Sequence, residues 1–121
     1  MIELDKICKI KSDRQISPPE LPTATKTQSQ LDVEKFMYAG KKRNAEFIFA
    51  DGILEMVWIL TEAAEEDTLI AGFTKLYGKP THVKEDVTFF LNNGVAVRND
   101  PHEVLFISDR LKAPYKAWLE Q

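Results

Sequence analysis

The sequence has very little of the chemistry that metal and disulfide sites need. Cys8 is the only cysteine, and His82 and His102 are the only histidines among the 121 residues. A single cysteine permits neither an internal disulfide nor a cysteine metal cluster. Neither histidine has a second histidine or a cysteine two or four positions away, which is the usual spacing of a metal site. We therefore predict no metal and no cofactor, and we interpret Cys8 as a small buried apolar residue.

Motifs for nucleotide binding and for nucleophilic catalysis are absent too. The five glycines form no P-loop, no G-x-G-x-x-G and no G-x-S-x-G pattern. Two clusters of ionisable residues have simpler explanations: residues 65–67 place negative charge in the first turns of a helix, and residues 100–103 are typical of a turn. These absences favour a protein that is not an enzyme.

No apolar run approaches the roughly 20 residues of a membrane-spanning helix. The first 15 residues mix charged and apolar side chains and lack the apolar core of a secretory signal. We expect no membrane association and a cytoplasmic location, which a single cysteine also suits.

The net charge of −3 is unevenly distributed. Residues 1–44 contain nine Lys/Arg and six Asp/Glu, whereas residues 45–121 contain seven and thirteen. The only basic cluster, residues 41–43, falls in an expected turn. Because nucleic-acid binding needs a clustered basic surface, we predict no nucleic-acid partner.

The most informative stretch is Ala45 to Pro80, which predicts a β-hairpin followed by an amphipathic helix. Asp51-Gly52 separates two apolar runs and is a preferred pair for a tight type I′ turn. A regular two-residue turn would place Ile48 opposite Glu55. Because side chains alternate along a strand, the hairpin then has two faces. The first carries Phe47, Phe49, Leu54, Met56, Trp58 and Leu60, and the second carries Glu46, Ile48, Ala50, Ile53, Glu55, Val57 and Ile59.

The first hairpin face is predicted to be core throughout, whereas the second is mixed but more than half aliphatic. The helix that follows is predicted to end at Tyr77, because Gly78 and Pro80 are typical stop signals. Its start lies between Thr61 and Glu66. One predicted apolar stripe contains Leu69, Ile70, Phe73, Leu76 and Tyr77. We interpret Gly72 as a small residue that lets this helix approach the sheet closely.

The remaining elements are predicted from alternation and turn signals. Ile2–Ile10 is expected to form an edge strand, with a short helix as the alternative. Further strands are expected at Leu31–Ala39, Val83–Leu91, from Val95, and at Glu103–Ile107. A last helix begins at Ser108 or Asp109, and Pro114 kinks or restarts it. A three-residue loop after Leu91 would pair Leu91 with Val95, while a two-residue loop would turn Phe90 inward instead. The next hairpin should pair Arg98 with Glu103. The three prolines of Ser17–Pro22 break the chain.

These elements predict an α+β fold in two layers. A curved antiparallel sheet of five to six strands, in the order β-β-β-α-β-β-β-α, would be packed by the central helix, with a second helix at the C-terminus. Residues 1–30 would be an N-terminal arm, docked or partly mobile, and residues 31–121 a single domain. The second hairpin face needs cover from the C-terminal helix, the arm or another copy of the protein.

That uncovered face motivates the functional prediction. We predict a non-enzymatic binding or assembly module that forms a homodimer. The alternatives are a small-molecule-binding domain with an apolar pocket on the concave sheet face, and an inhibitor or immunity-type partner of another protein. The expected ligand or interface residues are Glu46, Ile48, Ile53, Glu55, Val57, Trp58, Ile59 and Phe90.

Overall fold

The structure, a computed structural model, describes residues 9–121. Over these residues the fold is α+β, with eight strands in antiparallel pairs and two short α-helices, rather than the five to six strands expected. The chain divides into two compact units, an N-terminal unit that ends at Ile59 and a C-terminal unit that begins at Leu60. Of the strand expected at Ile2–Ile10, only Lys9 and Ile10 are among the described residues. Cys8, which was expected to be buried, lies outside them.

The N-terminal unit is a four-stranded antiparallel meander. Its strands are β1 (Lys9–Gln15), β2 (Gln28–Tyr38), β3 (Lys41–Ala50) and β4 (Ile53–Leu60), and each pairs with the next along the chain. The predicted Asp51-Gly52 turn is confirmed, since both residues have positive φ (51° and 81°) and Ala50 pairs with Ile53.

A β-bulge corrects the predicted register of this hairpin. Phe49 pairs with Leu54, but Ile48 pairs with Met56, so Glu55 is an extra residue on β4. Beyond the bulge, Trp58 pairs with Glu46 and Ile59 pairs with Ala45. Because paired residues share a face, Met56 and Trp58 lie on the Glu46 side, and Val57 and Ile59 lie with Phe47.

The bulge also changes which residues are buried. The first hairpin face is not core throughout, because Leu54 is 44% exposed and Leu60 is 40% exposed. Buried residues instead occur on both faces of the N-terminal sheet. On one side they are Gln28, Gln30, Ile48, Ala50, Glu55 and Met56, and on the other Val33, Arg43, Ala45, Phe47 and Ile59.

The C-terminal unit begins with a 3₁₀ turn (Ala63–Glu65) that leads into α1 (Glu66–Tyr77). The predicted stop is confirmed: Gly78 ends the helix with φ of 87°, and its N–H donates to the carbonyl of Thr74. Strands β5 (His82–Val83), β6 (Val87–Phe90), β7 (Val95–Asn99) and β8 (His102–Ile107) follow, each paired with the next. Another 3₁₀ turn (Asp109–Leu111) leads into α2 (Lys112–Leu119), so Pro114 lies in the first turn of α2, where proline is tolerated.

The loop between β6 and β7 corrects a second register. A four-residue connection, Leu91–Gly94, pairs Phe90 with Val95 and Phe89 with Ala96. Phe90 therefore shares a face with Val95, the arrangement expected from a two-residue loop and not from a three-residue loop. Leu91 lies in the connection, beyond the end of β6. The predicted pairing of Arg98 with Glu103 is confirmed.

In the C-terminal unit, a helix covers each face of the sheet, so the expected two-layer arrangement does not hold there. Phe73 of α1 packs 5.9 Å from Phe90 between ring centroids, and Tyr115 of α2 packs 5.5 Å from Phe89. Phe89 and Phe90 are adjacent on β6 and point to opposite faces. The two helices consequently lie on opposite sides, which explains why the strand residues between them are almost fully buried.

Candidate interaction surfaces

The predicted site residues do not form one surface. Glu46, Ile48 and Trp58 belong to the same face of the N-terminal sheet, with Ile53 near its turn end, whereas Val57 and Ile59 lie on the opposite face. Phe90 belongs to the core of the C-terminal unit beneath α1. Ile48, Ile59, Phe90 and Glu55 are buried, and Ile53 is half exposed. The bulge at Glu55 is the physical reason for this separation, since it exchanges faces along the rest of β4.

A row of polar side chains crosses the Glu46 face of the N-terminal sheet. Asp32 accepts hydrogen bonds from Ser12 Oγ (2.5 Å), Gln30 Nε2 (2.8 Å) and Arg14 Nε (3.2 Å). Gln30 Nε2 also donates to Glu46 Oε2. Strand register brings these residues together, because Ser12 pairs with Asp32 and Asp32 pairs with Glu46. The row is a connected network that binds three strands to one another.

The electrostatics of this row favour an ionised carboxylate. Desolvation alone would raise the pKa of Asp32, but hydrogen bonds from Ser12, Gln30 and Arg14 and the charge of Arg14 outweigh it. The pKa of Asp32 is therefore held below its usual value of 3.8. A general acid or base for neutral pH needs the opposite shift, so Asp32 is suited to structural support.

Asp51 organises the segment between β1 and β2, a role that turn statistics alone did not reveal. Its Oδ1 accepts the backbone N–H groups of Lys26 (2.8 Å) and Thr27 (2.9 Å), and its Oδ2 accepts the N–H (2.9 Å) and hydroxyl (2.8 Å) of Thr25. The buried Gln28 holds the same segment by accepting the N–H groups of Glu20 and Leu21, each at 2.7 Å. Residues 20–27 are thus attached to the turn end of the β2–β4 sheet.

The clearest exposed apolar surface lies in the C-terminal unit, at the end of α1. Leu76 is 72% exposed, although its spacing placed it in the predicted core stripe, and Tyr77 is also exposed. Val83 of the edge strand β5 is 71% exposed and pairs with Thr88, so it lies on the α1 side of the sheet. We call Leu76, Tyr77 and Val83 the apolar edge. Tyr77 packs 6.4 Å from Phe90 of β6 between ring centroids, on the side of the sheet where Val83 pairs with Thr88. Exposed apolar patches are characteristic of interaction sites.

The outer surface of α1 continues from this edge. Thr68, Gly72 and Leu76 follow one another at intervals of four residues, and all three are exposed. A β-carbon added at Gly72 would have no atom of residues 9–121 within 4 Å. The expectation that Gly72 lets the helix approach the sheet closely is therefore wrong, because the residue faces away from the sheet.

Within residues 9–121, no group of three or more His, Cys, Asp or Glu side chains is arranged to hold a metal ion. Among the same residues, no helix is long and apolar enough to cross a membrane.

The model of a family described as "Uncharacterised protein" matches residues 2–112. Neither a curated protein nor a solved structure matches the chain.

Proposed function

We propose that this chain, which belongs to that uncharacterised family, is a non-enzymatic assembly module that acts as a homodimer. The observation that carries the proposal is the apolar edge of the C-terminal unit. Leu76 and Val83 keep more than two thirds of their surface in water. A monomer gains nothing from this exposure, whereas burial of a Leu or Val side chain contributes about 1.5–3 kcal/mol.

The apolar edge replaces the hairpin face as the proposed interface. Ile48, Ile59 and Phe90, three apolar members of the residue set predicted from the sequence, are already buried within the chain. They have almost no surface left to offer a partner. The edge of β5 adds a second feature that favours association, because an edge strand presents backbone groups to another chain.

The test is the mass of the protein in solution, measured by light scattering after size exclusion over a range of concentrations. We expect a dimer, and we expect Leu76→Lys to shift it to monomer. Lysine is compatible with the last turn of a helix, so this variant should fold. The matched control is Leu54→Lys, a substitution at an exposed leucine of the N-terminal unit, which should remain dimeric.

Two results would count against the proposal. A wild-type protein that stays monomeric up to high micromolar concentration would contradict the proposed function. A dimer that Leu54→Lys disrupts and Leu76→Lys does not would move the interface to the N-terminal unit.

A further inference from the structure

We draw no further inference here: the strongest candidate, the exposed row of Thr68, Gly72 and Leu76 on the outer surface of α1, is an unpartnered helix face, and nothing in the structure shows what covers it.

Discussion

Asp51 shows how one side chain can hold two segments that are distant in the sequence. Positive φ at Asp51 and Gly52 forms the turn, and the Asp51 carboxylate accepts four hydrogen bonds from residues 25–27. Hydrogen bonds to an ionised acceptor are stronger than those to a neutral one. The carboxylate thus stabilises a loop as well as a hairpin.

Asp51→Asn should weaken this loop without changing the turn. Asparagine tolerates positive φ but has one acceptor oxygen in place of two and carries no charge. We expect the amide hydrogens of Thr25, Lys26 and Thr27 to exchange faster with solvent than in the wild type, while those of β3 and β4 away from the turn keep their protection. Asp51→Ala, which removes both oxygens and strains the turn, should lower the melting temperature further. Equal melting temperatures in all three proteins would contradict this role.

The same carboxylate should make stability depend on pH in the acid range. Hydrogen bonds from the backbone N–H groups of Thr25, Thr27 and Lys26 hold the pKa of Asp51 well below its usual value of 3.8. Because the folded pKa is depressed, the stabilisation is complete above pH 3.8 and is lost as the pH falls below it. We expect the difference in unfolding free energy between wild type and Asp51→Asn to be constant from pH 7 to 5 and to shrink below pH 4. A difference that grows on acidification would contradict this assignment.

Two glycine-to-alanine substitutions should have opposite effects on folding stability. Gly94 has φ of 66°, and a β-carbon there would lie 2.6 Å from the carbonyl oxygen of Ile107. Gly94→Ala should therefore destabilise the fold by roughly 1–2 kcal/mol from backbone conformation alone, with the steric clash in addition. Gly72→Ala, in a helix with free space, should stabilise it by about 1 kcal/mol.

Chemical denaturation measures both changes. The Leu76→Lys background, which is expected to be monomeric, separates folding stability from assembly. If Gly72→Ala destabilises the monomer in this background, then Gly72 has an internal role that its open surroundings do not show.

At the scale of elements, β4 shows how one extra residue redistributes a whole strand. Asp51-Gly52 fixes the pairing of Ala50 with Ile53, but the bulge at Glu55 moves every later residue of β4 to the opposite face. Glu55 is 1% exposed, although glutamate is a polar residue that is rarely buried. Bulged residues have unusual directions, so burial at this position does not follow from alternation.

Deletion of Glu55 should be tolerated better than an ordinary deletion in a strand. Without it, Leu54 can pair with Phe49 and Met56 with Ile48 in a regular ladder, and all other faces are retained. We expect cooperative unfolding with a loss of about 1–3 kcal/mol, the range of common single changes. Deletion of Glu46 from β3 is the matched control. A bulge between Val33 and Phe36 of β2, like the bulge at Glu55 of β4, already gives β3 one residue fewer than its neighbour. The deletion would add a second mismatch to both strand pairs and should prevent folding. Circular dichroism during thermal unfolding distinguishes the two.

At the scale of the whole molecule, assembly should be visible as a concentration-dependent stability. Dimer formation stabilises only the folded chain, so the melting temperature should rise with protein concentration. Leu76→Lys should abolish this dependence, while Leu54→Lys should keep it. A melting temperature that is independent of concentration in the wild type would contradict the homodimer.

Much of the fold was determined by local features of the sequence. The Asp51-Gly52 turn, the end of α1 at Gly78 and the pairing of Arg98 with Glu103 were predicted and are confirmed. Each depends on residues within a few positions of one another, where backbone sterics and short-range hydrogen bonds decide the conformation. The α+β class follows from the order of such elements.

Only the tertiary structure decided which face each residue occupies and which surfaces remain open. The bulge at Glu55, the four-residue loop before Val95 and the exposure of Leu76 depend on long-range packing, and alternation or helical spacing cannot show them. A shift of one residue in a strand reverses its faces. The residues predicted to form one site therefore lie on different faces, and some are buried while others are exposed. The sequence predicted that Gly72 lets α1 approach the sheet closely, and only the structure shows that a β-carbon at this position would meet no atom of the described residues within 4 Å.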